Sequence, residues 1–160
     1  MDDFDWYRLF KTLHVIAAFI LVGGAVMESI IGPIVAKARS VQEVRAYALL
    51  LYVSENYLSL PAAVAIVVFG YLTADRIGYD LGTTWLLLGQ LLFYAIVVIA
   101  LAVLRPAANR LYRLANAAPD GPVTPEIVAQ LQKPLPAIAG AATGLMFIAI
   151  IYLMVAKPDW

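Results

Sequence analysis

Four stretches of this chain are each apolar for about 20 residues or more, the length a helix needs to cross the hydrocarbon core of a bilayer. They run from about 9 to 36, 49 to 74, 84 to 104 and 137 to 156. Lipid offers no partner to a backbone N–H or C=O, so a spanning segment must satisfy its own hydrogen bonds and is expected as a helix. Only 14% of the 160 residues are charged, 63% are hydrophobic and the mean hydropathy is +0.85. A soluble domain carries about 25% charged residues, so this chain has too few to coat a surface facing water. The expected fold is an all-α integral membrane protein, a single four-helix transmembrane bundle with both termini on the outer side.

The connections carry helix signals. Ser40-Val-Gln-Glu43 is a capping box, which starts the second helix near Val41, ahead of its span. Asp75 to Thr83 is short and turn-rich, so the second and third spans form a hairpin. The long connection, 105 to 136, is read as a loop on the cytoplasmic side. In it, Asn109 to Asn116 can continue the third helix, and Thr124-Pro125-Glu126 opens a short helix that runs to about Gln132 and ends at Pro134 and Pro136.

Orientation is read from lysines and arginines in the loops. Lys37, Arg39, Arg45, Arg105, Arg110, Arg113 and Lys133 fall on one side, and Arg8, Lys11, Arg76 and Lys157 on the other. Seven against four places the termini outside, in the bacterial inner membrane. Trp6, Trp85 and Trp160 all fall at outer span ends, as interfacial anchors do. The acidic start, Met-Asp-Asp-Phe-Asp, followed by so long an apolar run, reads as an uncleaved first span rather than a signal peptide.

Composition also excludes chemistry. There are no cysteines, which removes disulfides, thiolate metal sites and cysteine nucleophiles. One histidine removes any multi-histidine metal site within one chain. Net charge is zero, with 11 basic and 11 acidic residues, and no basic face for nucleic acid is visible. No complete catalytic set is present.

Titratable groups inside a span are costly and mark function by default. His14, near the outer end of the first span, can serve in haem ligation, proton transfer or quinone contact; the plain alternative is a hydrogen bond to a nearby carbonyl. Met154, at similar depth in the fourth span, can supply a second axial ligand for haem b, as can a His14 from a second copy. Gln90, in the outer half of the third span, can reach His14. Glu28 lies 14 residues past His14, about 21 Å along a helix, on roughly the same face. Glu28, Glu55, Asn56 and Arg105 are expected to cluster in the inner half. That cluster is either a proton or cation relay or a structural salt-bridge lock. Pro33 and Pro61 each free a carbonyl four residues back, at Ser29 and Tyr57. Gly140-Ala-Ala-Thr-Gly144 is a small-xxx-small packing motif, as are Gly23 and Gly24.

The pattern Lys11-x-x-His14, then Gly23-Gly24 in the first of four spans, resembles an uncharacterised family of small bacterial four-span membrane proteins. That family is distantly similar to the copper-resistance D-type proteins and to the membrane-bound protoporphyrinogen oxidases. The resemblance implies haem or porphyrin handling by His14. The oxidases use a lysine in a later span, and the third span here holds no lysine and no histidine. The implication therefore stops at haem binding.

Three functions follow as expectations. The favoured one is an accessory or scaffold subunit that packs against a membrane-protein partner or a second copy in the lipid bilayer. The others are a haem b redox protein using His14 and a small proton- or cation-coupled carrier using Glu28 and Glu55.

Overall fold

The computed structural model describes residues 5–158, and among them every regular element is helical. The first span is α1 (Trp6–Val35). The second is a rod from Val41 to Arg76, made of α2 (Val41–Val53), a π-helical turn (Ser54–Ser59) and α3 (Leu60–Arg76). The third runs from Thr84 to Ala117 as α4 (Thr84–Ile99), a second π-helical segment (Ala100–Leu104) and α5 (Arg105–Ala117). A short α6 (Pro125–Leu131) precedes the fourth span, α7 (Pro134–Ala156). Four of these units are long and apolar enough to cross a membrane, so the expected all-α transmembrane bundle is the fold.

Local chemistry sets the boundaries. Ser40 Oγ accepts from the Glu43 N–H at 3.3 Å, and Glu43 Oε2 accepts from the Arg39 N–H at 2.9 Å. The capping box thus closes one residue earlier than its standard form. Pro134 does not end α6 but opens α7. The sequence reading is corrected there, because the first helical position needs no N–H and suits the fixed φ of proline.

Both π-helical segments stand in the same relation to a proline. Ser54–Ser59 ends two residues before Pro61, and Ala100–Leu104 ends two residues before Pro106. A proline in a helix removes one donor, and its ring collides with the carbonyl four residues back. Widening the turn to i→i+5 bonding relieves the collision without breaking the rod. Pro61 therefore produces a π turn, and Pro106 does the same in the third span.

The first span packs along α3, and α4 packs along α7. Leu21, Ala62, Phe93, Ile96 and Phe147 fill the middle of the bundle. At the end away from the termini, α2, α5 and α6 form a cap around Val41, Val44, Leu111, Ala115 and Ile127. Arg45 ties it together, donating to the Ala115 and Ala118 carbonyls at 3.2 and 3.1 Å and pairing with Asp120 at 3.0 Å. In the cap, the Glu126 carboxyl is held below the ordinary carboxylate range by hydrogen bonds from its own N–H and the Thr124 hydroxyl. Outward-facing Phe19, Leu145 and Val155 are 75%, 70% and 80% exposed, as lipid-facing side chains should be.

The terminus end departs from the anchoring expectation. Trp6 is half exposed, but Trp85 is buried. Tyr79 meets Trp85 edge-on, with ring centroids 5.7 Å apart, and Lys157 Nζ lies 5.5 and 5.6 Å from the two rings. Trp85 is thus a packing residue beneath a lysine. Trp160 lies outside the described residues.

Candidate functional site

The first π turn delivers the polar residues. A wider turn rotates the side chains on either side of it, and here it sets Ser54 and Glu55 inward together. Ser54 is fully buried and Glu55 is 5% exposed. Both face α1, where Glu28 projects from the antiparallel neighbour. The Glu28 and Glu55 carboxyls lie close enough to act on each other, and Ser54 lies beside Glu28. Glu28 Oε1 and Ser54 Oγ are buried and make no hydrogen bond.

Gly24 makes this approach possible. It lies one helical turn before Glu28. A Cβ placed on it would come within 3.1 Å of Ser59 Oγ and 3.2 Å of Ser54 Oγ. Contacts that short force neighbours apart, so the missing methyl lets the π turn lie against α1.

Arg105 occupies a different position from the one expected. Its Nε donates to Asn56 Oδ1 at 2.8 Å. Asn56 Nδ2 donates to Asn109 Oδ1 and to the Tyr52 carbonyl, both at 2.8 Å. Asn56 is therefore a hub joining the second and third spans. Among the described residues, no carboxylate lies within 4.0 Å of the Arg105 guanidinium. The four expected cluster residues thus divide into a carboxyl pair, Glu28 with Glu55, and an amide–guanidinium pair, Asn56 with Arg105. The guanidinium is still close enough to act on Glu55 through space.

A cavity of about 40 Å³ touches Glu55, Ser59 and Arg105 and is otherwise walled by apolar side chains such as Leu21, Ile96 and Leu101. Both π segments contribute to its wall. The volume would admit a water, but the cavity surface is almost wholly apolar, and apolar cavities stay dry.

The outer group expected around His14 does not assemble as one unit. His14 Nδ1 donates to the Ile66 carbonyl at 2.9 Å. Its ring lies on Gly70, where a Cβ would come within 3.1 Å of it. Gln90 is used elsewhere: Tyr71 donates to its Oε1 at 2.9 Å, and its Nε2 donates to the Leu81 carbonyl at 3.3 Å. Met154 Cε rests on Gly89, 2.8 Å from where a Cβ would stand. Among the described residues, no hydrogen bond joins His14 to Gln90. Among the described residues, no group of three or more histidine, cysteine, aspartate or glutamate side chains gathers as a metal site.

Sequence reasoning did not assign Ser54, Ser59 or Gly24 to the site. A signal existed in the polar run Ser54-Glu55-Asn56 inside an apolar span, seven residues before Pro61 at its start.

The model of a family described as predicted integral membrane protein (DUF2269) matches residues 8–158. The chain belongs to that family. No curated protein and no solved structure matches it.

Proposed function

We propose that this integral membrane protein carries protons or small cations, with Glu28 and Glu55 as the carrier groups. The observation behind this reading is the approach of a buried carboxyl, Glu55, and a half-buried one, Glu28, from different spans, with no cation in an ion pair with either among the described residues. Two carboxyl groups can hydrogen-bond only if one of them holds a hydrogen, and two charges so close in an apolar bundle repel strongly. One exchangeable proton on the pair answers both requirements. A structural lock would instead place Arg105 against a carboxylate, and Arg105 is engaged with Asn56. The seven loop cations at the cap end favour a cytoplasmic cap in a bacterial inner membrane. The test is flux into liposomes carrying the purified protein. Glu28→Gln and Glu55→Gln should each abolish proton or cation flux with helicity intact, and undiminished flux in both variants would refute the reading.

A second reading, an accessory subunit or homo-oligomer, is favoured by a separate observation. A Cβ on Gly140 or Gly144 would meet nothing within 4 Å, so this small-residue motif faces out of the bundle, where another helix can approach. Crosslinking in native membranes should trap a discrete complex that Gly140→Leu and Gly144→Leu disperse. An exclusively monomeric product from the unaltered chain would refute it.

A further inference from the structure

We infer that the oxygens around the Glu28–Glu55 pair form a binding site for one sodium ion. This inference rests on the reading of the pair as a carrier and names its cargo.

The site offers only hard oxygen donors: the two carboxyls, the Ser54 hydroxyl beside Glu28 and the Ser59 hydroxyl, which shares with Ser54 the space against Gly24. Such oxygens suit hard cations rather than thiophilic or imidazole-seeking metals. Independently of the acidic pair, Ser54 is fully buried and its hydroxyl has no hydrogen-bond partner. Glu28 Oε1 is likewise buried and unpartnered. Native proteins seldom leave buried polar atoms unpaired. Two acceptors with lone pairs free, from different spans and on one small volume, are what a cation would satisfy.

Charge selects the ion. With one proton between them, the carboxyls carry a single negative charge, which a monovalent ion neutralises. A divalent ion is neutralised there only if it displaces that proton, so a pair that keeps its proton takes a monovalent ion. Calcium also asks for six to eight oxygens, and magnesium keeps several of its waters. The Ser54 and Ser59 oxygens converge on Gly24, and so compact a placement suits the smaller sodium better than potassium. The π turn adds a reason for the placement, since irregular backbone within membrane helices is a recurrent setting for sodium and proton sites.

Equilibrium binding of radioactive sodium to the purified chain in detergent micelles tests this. Wild type should bind about one sodium per chain, saturably, with excess potassium a weak competitor. Ser54→Ala and Ser59→Ala should each weaken binding at least tenfold, and Glu28→Gln should remove it. Proton flux in liposomes is measured on the same variants. Absence of saturable sodium binding to wild type, or binding unchanged in both serine variants, overturns the sodium site. If proton flux then persists and depends on Glu28, the carrier reading stands without sodium as cargo. Loss of the sodium signal together with Glu28-independent flux overturns both.

Discussion

Gly23→Ala and Gly24→Ala make the same chemical change at adjacent positions of α1, and their effects on stability should differ. A Cβ at Gly23 meets nothing within 4 Å. Alanine there should stabilise the helix by up to about 1 kcal/mol through its better propensity. At Gly24 the same methyl would stand 3.1 Å from Ser59 Oγ and 3.2 Å from Ser54 Oγ. Serine is short, so its oxygen cannot swing far, and the π turn itself must give by a few tenths of an ångström. Overpacking of this kind costs about 1–3 kcal/mol. Set against the same propensity gain of about 1 kcal/mol, Gly24→Ala should be neutral to about 2 kcal/mol destabilised. The difference between the two variants isolates the steric cost. Reversible unfolding in mixed micelles, read by helicity, measures it. Equal stability of the two variants would refute the close approach of α1 to the π turn. Gly24→Ala should also lower proton flux, because it displaces Ser54 and Glu55 from Glu28, while Gly23→Ala should leave flux unchanged.

Asn56→Ala removes a hub of three hydrogen bonds, each 2.8 Å long. At about 0.6 kcal/mol for a bond between membrane helices and about 1.5–3 kcal/mol for one to a charged group, the expected loss is roughly 2–4 kcal/mol by the same unfolding assay; a loss below about 0.5 kcal/mol would contradict the hub. Lys157→Ala removes the cation over Tyr79 and Trp85. It should cost about 1 kcal/mol and shift Trp85 emission toward longer wavelength, whereas an unchanged spectrum would refute the stacked arrangement. In the cap, the Glu126 carboxyl is held low by its own N–H and by Thr124, so its contribution to stability is present at neutral pH and lost as acid protonates it below the ordinary carboxylate range. Glu126→Gln should flatten the acid limb of the stability curve slightly, and an identical acid limb would show that the contact adds nothing.

The membrane fold was legible because it rests on long-range composition: four apolar runs leave helices as the only satisfied backbone. The capping box at Ser40 was legible because it is local, and hydrogen bonds to both Ser40 and Glu43 are made. The pairing of polar residues was less so. Glu28 and Glu55 fall in the same half of the bundle by simple counting, and they meet. Counting also puts Arg105 at that level, but it cannot tell that Asn56 takes the guanidinium first. The difference lies in rotation about the helix axis, which the π turns alter, and the sequence marks those turns only by Pro61 and Pro106. His14 shows the same limit. Its depth was readable, but its partner is a backbone carbonyl, Ile66, and every helix residue offers one. Pro134 was misread because proline both ends and begins helices, and only the following residues decide which. Trp85 was misread because tryptophan at a span end suits lipid or core equally, until Tyr79 and Lys157 close over it.

The central claim is that Glu28 and Glu55 hold one proton between them. Infrared difference spectroscopy of the protein in lipid nanodiscs, in H2O and D2O, observes that proton directly. The account predicts a protonated-carboxyl C=O band at neutral pH that shifts on deuteration and vanishes in the Glu28→Gln, Glu55→Gln double variant. A wild-type spectrum with only ionised-carboxylate bands, indistinguishable from the double variant in the C=O region, would contradict it.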